Sequence, residues 1–117
     1  MANVFKLKTK ADIATTVEVL YTAQASKTAV VLGLVLANKG TATVKATVTL
    51  ETNTADTETN EDVTLLHEVS LPVNSTLEFF SGQKLILQAT DVMKVKSDTA
   101  SSLDVALSIM EQDVYCR

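Results

Sequence analysis

The sequence is short of most of the residues that mark a reactive protein. Among 117 residues there are one cysteine, one histidine, one proline, three glycines and no tryptophan. The lone Cys116 can form no internal disulfide, so nothing argues for an oxidising compartment, and beside Arg117 it reads as a surface thiol. The lone His67 leaves no second imidazole or thiol to complete a zinc set and no spare base for a nucleophilic relay. It shares parity with Leu65 and Val69, which predicts a partly buried, hydrogen-bonded strand residue. Aromatic residues are only 4% of the chain, too few to build stacking platforms for sugars or single strands. The longest apolar run, Ala29 to Ala37, is far short of the roughly 20 residues that a membrane helix needs. The first six residues lack a basic stretch leading into a long apolar one, so no secretory signal is expected and the sequon Asn74-Ser75-Thr76 is idle.

The charge is equally uninformative about chemistry. A net charge of −4 repels nucleic acid unless the cations cluster, and they do not. Lys6, Lys8 and Lys10 alternate near the start and Lys94 and Lys96 near the end, each set reading as the solvated face of a strand. The acidic loop over residues 52–62 places oxygen ligands at alternate positions from Asp56, as a calcium loop does. The sixth and twelfth positions, which such a loop fills with Gly and Glu, hold Glu61 and His67. There is no glycine-rich phosphate cradle and no nucleophile elbow. The expectation is a protein that is not an enzyme and carries no cofactor or metal.

What is abundant is threonine and valine, whose branched Cβ suits a pleated surface. From Thr43 to Glu51, Val44, Ala46, Val48 and Leu50 point one way and threonine, lysine and glutamate the other. Leu103, Val105, Leu107 and Ile109 repeat the pattern, as do Val63, Leu65, Val69 and Leu71. Further strands are predicted over Val17–Thr22, Thr76–Phe80, Leu85–Leu87 and Val92–Lys96. Turn signals separate them: Asn38-Lys39-Gly40, where positive φ is expected, then Pro72-Val73-Asn74-Ser75, Ser81-Gly82-Gln83, Thr90-Asp91 and Ser97-Asp98-Thr99. No apolar stripe of helical period extends over ten residues. About eight short strands at even spacing predict an all-β antiparallel sandwich, either jelly-roll or immunoglobulin-like. Residues 1–16 are set apart as an N-terminal arm, able to pair with its own sheet or a neighbour's, and residues 17–117 as one domain.

The run from Ala29 to Ala37 is apolar on both parities. Leu32, Leu34 and Leu36 are expected to face the core, leaving Val31, Gly33 and Val35 on a face that a sandwich normally wets. Two explanations stand: a loop or the arm of the same chain covers that face, or another protein does. Phe79-Phe80 is the densest aromatic spot, with one ring expected outward. The candidate interface residues are therefore Val4, Phe5, Leu7, Val31, Gly33, Val35, Phe79 and Phe80.

Several stretches resemble a known group. Leu71-Pro72-Val73-Asn74-Ser75-Thr76-Leu77-Glu78, Ser81-Gly82-Gln83-Lys84-Leu85-Ile86-Leu87, Asp91-Val92-Met93-Lys94-Val95-Lys96-Ser97 and Ala100-Ser101-Ser102-Leu103-Asp104-Val105 are similar to small β-rich virion proteins of tailed bacteriophages, cyanophages among them. Leu20-Tyr21-Thr22-Ala23, Val30-Val31-Leu32-Gly33-Leu34 and Ala37-Asn38 extend the resemblance over residues 17–111. Its motifs are strand-and-turn patterns with no catalytic signature. The resemblance implies a structural component of the virion, assembled in the host cytoplasm: first a capsid cement or decoration protein bound across major capsid protein subunits, alternatively a neck, tail or fibre-associated protein. A module that adheres to a host surface is the reading from another class. Expected partners are the major capsid protein or other virion proteins and further copies of the chain, with no nucleic acid and no membrane.

Overall fold

The computed structural model describes residues 3–53, 60–79 and 84–113; Phe80, the 81–83 turn, most of the acidic loop and Cys116 lie outside them. Nine strands follow in chain order: β1 (Asn3–Lys10), β2 (Glu18–Thr22), β3 (Lys27–Asn38), β4 (Val44–Glu51), β5 (Asp62–Leu71), β6 (Thr76–Phe79), β7 (Leu85–Leu87), β8 (Val92–Ser97) and β9 (Leu103–Asp113). The fold is an antiparallel β-sandwich of two sheets. One runs β1-β9-β3-β6 with β7 also on β3, and the other runs β2-β8-β4-β5.

The order decides between the two architectures left open. β4 pairs with β5, β3 with β6 and β7, β2 with β8, and β1 with β9, so the pairs are nested and fall alternately in the two sheets. One long hairpin has been rolled up, which is the jelly-roll plan. An immunoglobulin sandwich would place its first two strands side by side. β6 and β7 lie end to end along β3, opposite Leu34–Ala37 and Ala29–Val31, and together replace one strand of an eight-stranded roll. Within the stretch set apart as an arm, Asn3–Lys10 pair without a register shift with β9 as β1, the edge strand of the five-stranded sheet, and the residues that follow stay on the same body. Ile13, three residues past β1, is fully buried and its N–H donates to Leu103 O at 2.9 Å.

The core forms where the inner faces meet. β9 contributes Leu103, Val105, Leu107 and Ile109, and β4 contributes Val44, Ala46, Val48 and Leu50, as their alternation predicts. β3 departs from expectation. The register shifts between Val31 and Gly33, so Leu32 is an extra residue without a partner on β9. This bulge reverses the inward parity: Ala29 and Val31 are core residues before it, Leu34 and Leu36 after it. Val31 is therefore fully buried, where the uninterrupted alternation placed it outside, and Leu32 is only half-buried. β5 carries two further shifts opposite Ala46–Thr49. They turn His67 out to solvent, 75% exposed and 3.5 Å from the Glu68 carboxylate, and not into a half-buried site.

Two turns have their own chemistry. Asn38 is buried, and its amide donates to the carbonyls of Ala42 and Leu71 at 2.9 Å, while Gly40 N–H returns to its oxygen at 2.9 Å. Positive φ is not the reason for Gly40: a Cβ there would sit 2.5 Å from Ser102 Oγ, so the position needs space. Asp91 is buried and accepts the N–H groups of Asn53 at 2.8 Å and Gln88 at 3.0 Å, tying the end of β4 to the β7–β8 turn.

Candidate interaction surface

Residues directly opposite each other in antiparallel strands share a face, so the pairing fixes what stands outside the five-stranded sheet. Phe5 pairs with Met110, Met110 with Val30 and Val30 with Ile86, which makes one apolar row across four strands. Leu7, Ser108 and Gly33 form the next row, then Thr9, Ala106 and Val35. Phe5 is 70% exposed, Leu7 64%, Ile86 60% and Val35 36%. Charge on this face gathers at one end, where Glu78 and Asp104 stand beside Val35 and Ala37 and Lys39 Nζ is 3.0 Å from Asp104. There the small side chains of Ala37 and Ala106 leave a trough of about 260 Å³ walled by Thr9, Val35 and Val105. With lanes about 4.8 Å apart and about 26 Å long, the face has an area on the order of 500 Å².

Nothing described in the chain covers it. β1 lies alongside β9 as the next strand and not across β3. A Cβ built on Gly33 meets nothing within 4 Å, so the space above the bulge is open. Of the two explanations for the doubly apolar run, cover by the arm fails on this geometry.

The candidate residues thus separate. Phe5, Leu7, Gly33 and Val35 come together on the outer face. Val31 belongs to the core, and Phe79 is half-buried against it opposite Leu34. Val4 is on the inward side of β1, opposite Glu111, and 41% exposed at the margin. Phe80 lies outside the described residues. Val30, Ile86 and Met110 are the members that alternation missed. Their signal was the pairing partner on each neighbouring strand, which a single sequence does not carry.

The lysines of β1 correct a second expectation. Lys6, Lys8 and Lys10 pair with Ile109, Leu107 and Val105, so they point to the inner side of the sheet. They close the open margin between β1 and β2. Lys6 Nζ is 2.9 Å from Glu111 Oε1, Lys8 Nζ stands 6.0 Å from the Tyr21 ring centroid, and Lys10 Nζ is 3.5 Å from Glu18 Oε1. Their aliphatic stems cover apolar surface while the ammonium groups reach carboxylates or water. Glu111 is 1% exposed, and the Tyr21 hydroxyl donates to its Oε2 at 2.5 Å. Burial alone would raise the Glu111 pKa, but the Tyr21 hydroxyl and the Lys6 ammonium outweigh it and hold the carboxyl below its ordinary range. Burial, and then the same carboxylate, push the Tyr21 hydroxyl well above its ordinary value. Glu111 follows Leu103, Val105, Leu107 and Ile109 on the inward parity, so one more step of the alternation would have placed it inside.

The other sheet presents a different exterior. Lys45, Thr47, Thr49 and Glu51 of β4 stand beside Lys94 and Lys96 of β8, and Lys94 is ion-paired with Glu51. Among the described residues, no group of three or more His, Cys, Asp or Glu is arranged to hold a metal. No helix is long and apolar enough to cross a membrane.

No protein-family model and no curated protein matches the sequence. Solved structures do resemble it. One is from the T13 viral particle of infectious bursal disease virus (TM-score 0.55, 12% identity, 93% of this chain and 30% of that one). Another is VP2 of the same virus in its subviral particle (0.55, 9%, 93% and 32%). A third is from Bacillus endospore appendages, described as disulfide-linked pili (0.53, 13%, 97% and 88%). The chain spans about a third of the viral chains it matches and most of the appendage protein. These likenesses establish the fold, a sandwich found both in a virus particle and in a pilus.

Proposed function

We propose that this protein is a non-enzymatic structural component of a tailed-phage virion, and within that class a capsid cement or decoration protein. The observation that carries the reading is the outer face of the five-stranded sheet, largely apolar, with its charge gathered at one end, and uncovered by any of the described residues. A patch of about 500 Å² is at the upper end of what monomers expose, and patches of that kind are often functional. Laid across the seams between major capsid subunits, the rigid sandwich resists expansion of the shell. Burying about 500 Å² at about 25 cal/mol per Å² offers about 12 kcal/mol, and lost rigid-body freedom costs about 4–15 kcal/mol. One face is therefore marginal alone. Copies joined to one another multiply the contact, which favours a homo-oligomer of closed symmetry. The polar sheet then faces outward and keeps particles apart.

The jelly-roll fold and the sequence resemblance over residues 17–111 support a particle component but serve a neck, tail or fibre-associated protein as well. A covalent polymer is a poorer fit: one cysteine can link two copies and no more. A host-surface module that binds sugars would need the aromatic residues this chain lacks.

Gel densitometry of purified virions separates the readings, because a cement protein is present in hundreds of copies and a neck or tail protein in about a dozen. Gly33→Glu tests the face itself. The free protein has room for the side chain, whereas a docked one buries an unpaired carboxylate. The variant should fold normally yet fail to bind shells lacking the protein, and those shells should burst at lower temperature. Normal shell binding by Gly33→Glu, or a chain absent from particles, overturns the proposal.

A further inference from the structure

Beside the apolar face lies a second unsatisfied feature, the free edge of β1. β1 ends its sheet, pairing only with β9 among the described residues. It runs for eight residues without a bulge or a proline, a span of about 26 Å that presents backbone N–H and C=O groups on its open side. The usual guards against strand addition are missing, with one exception. That exception is the inward row of Lys6, Lys8 and Lys10.

The row is incompletely neutralised. Lys6 has Glu111 and Lys10 has Glu18, each lysine remaining about a third exposed at 34% and 38%, while Lys8 faces only the Tyr21 ring. A second copy of β1 added antiparallel would set lysine against lysine in this layer, and like charges directly opposite destabilise a pair. Self-pairing is thus disfavoured. A strand with carboxylates in the same layer would be welcomed. On the outer side, Phe5 and Leu7 are 70% and 64% exposed next to the empty lane, so the alternate residues of that strand should be apolar.

Deepening the structural reading above, we propose that the free edge of β1 receives an extended segment of a partner chain in which acidic and apolar residues alternate. The segment extends the sheet by one strand. Its carboxylates reach Lys6, Lys8 and Lys10, and its apolar side chains widen the face that Phe5 and Leu7 begin. The lysines then set specificity, excluding a copy of the chain and admitting an acidic strand. The added backbone hydrogen bonds supply the contact that the face alone lacks.

The test uses the full chain and labelled octapeptides on soluble Gly-Ser tails, followed by fluorescence anisotropy. One probe alternates Glu with Val, a second alternates Lys with Val, and a third is the first with a central proline. The Glu/Val probe should bind saturably and at least about tenfold more tightly than either other probe, with the preference weakening in about 0.5 M salt. Lys8→Glu should reverse the preference and Lys8→Gln should reduce it, each variant being checked for an unchanged melting curve. Equal binding of the Glu/Val and Lys/Val probes, or binding of neither, overturns the proposal. Because these measurements need no shell, their failure leaves the Gly33→Glu and copy-number results to judge the virion reading separately.

Discussion

The two sheets share one interior and differ in what they show the outside. On the four-stranded sheet, threonine, lysine and glutamate alternate with core residues, and Glu51 and Lys94 pair across β4 and β8. On the five-stranded sheet, the outward positions hold Phe5, Leu7, Val30, Val35, Ile86 and Met110. Folding requires apolar residues where the two sheets meet, and both supply them, with Lys6, Lys8, Lys10 and Glu111 at the β1 margin. The difference lies in the outward positions, where nothing among the described residues covers the apolar side chains of the five-stranded sheet. Antiparallel sheets with one wet face are the ordinary case, and the five-stranded sheet is the one that departs from it.

If the sheets differ only in their exteriors, damage to the shared interior should affect both together. Leu107→Ala removes a fully buried side chain opposite Leu34 and should cost about 2–5 kcal/mol. Urea unfolding should remain a single transition, and separate melting of the two sheets would break the comparison. A smaller effect is expected at the β1–β2 margin. Glu111→Gln keeps an acceptor for Tyr21 and removes the charge opposite Lys6, a partly exposed partner, for a cost of about 1–3 kcal/mol near neutral pH. The Glu111 carboxyl titrates below its ordinary value of 4.5 in the folded protein. Its stabilisation is therefore complete above that value and disappears as pH falls through the lowered one. The gap between wild type and Glu111→Gln should accordingly close in acid, and a gap independent of pH would show that the charge is irrelevant. Smallest are the effects of exterior substitutions on folding. Lys96→Ala and Ile86→Ser should each shift stability by no more than about 0.5 kcal/mol. Only Ile86→Ser should weaken attachment to shells, measured by co-sedimentation. Equal losses from both would dissolve the distinction between the faces.

Much of this was legible from alternation. β4 and β9 were readable because each keeps period two along its length, with polar or small residues such as Asp104, Ala106 and Ser108 opposite the core positions to set the phase. β3 was not, because the extra residue at Leu32 shifts phase inside a run where both parities are apolar and composition cannot mark it. The exposure of His67 was hidden in the same way by the shifts in β5, and the adjacent burial of Leu20 and Tyr21 by the shift in β2. β1 shows another limit. Its alternation separated Phe5 and Leu7 from the lysines, but the direction each set faces depends on β9, whose Glu111 draws Lys6 inward. The apolar members of the interface were half found, since Phe5, Leu7 and Val35 stood out within their own segments while Ile86 and Met110 matter only through their neighbours.

The pairing of β1 with β9 also constrains when the molecule can form. Asn3 pairs with Gln112, so β1 has no home until β9, about a hundred residues later, has been synthesised. At about 5–20 residues per second, translation leaves it waiting for about 5–20 s. During that interval Phe5 and Leu7 are exposed alongside three cations, which repel other nascent copies. Contacts this distant in sequence also make closure slow.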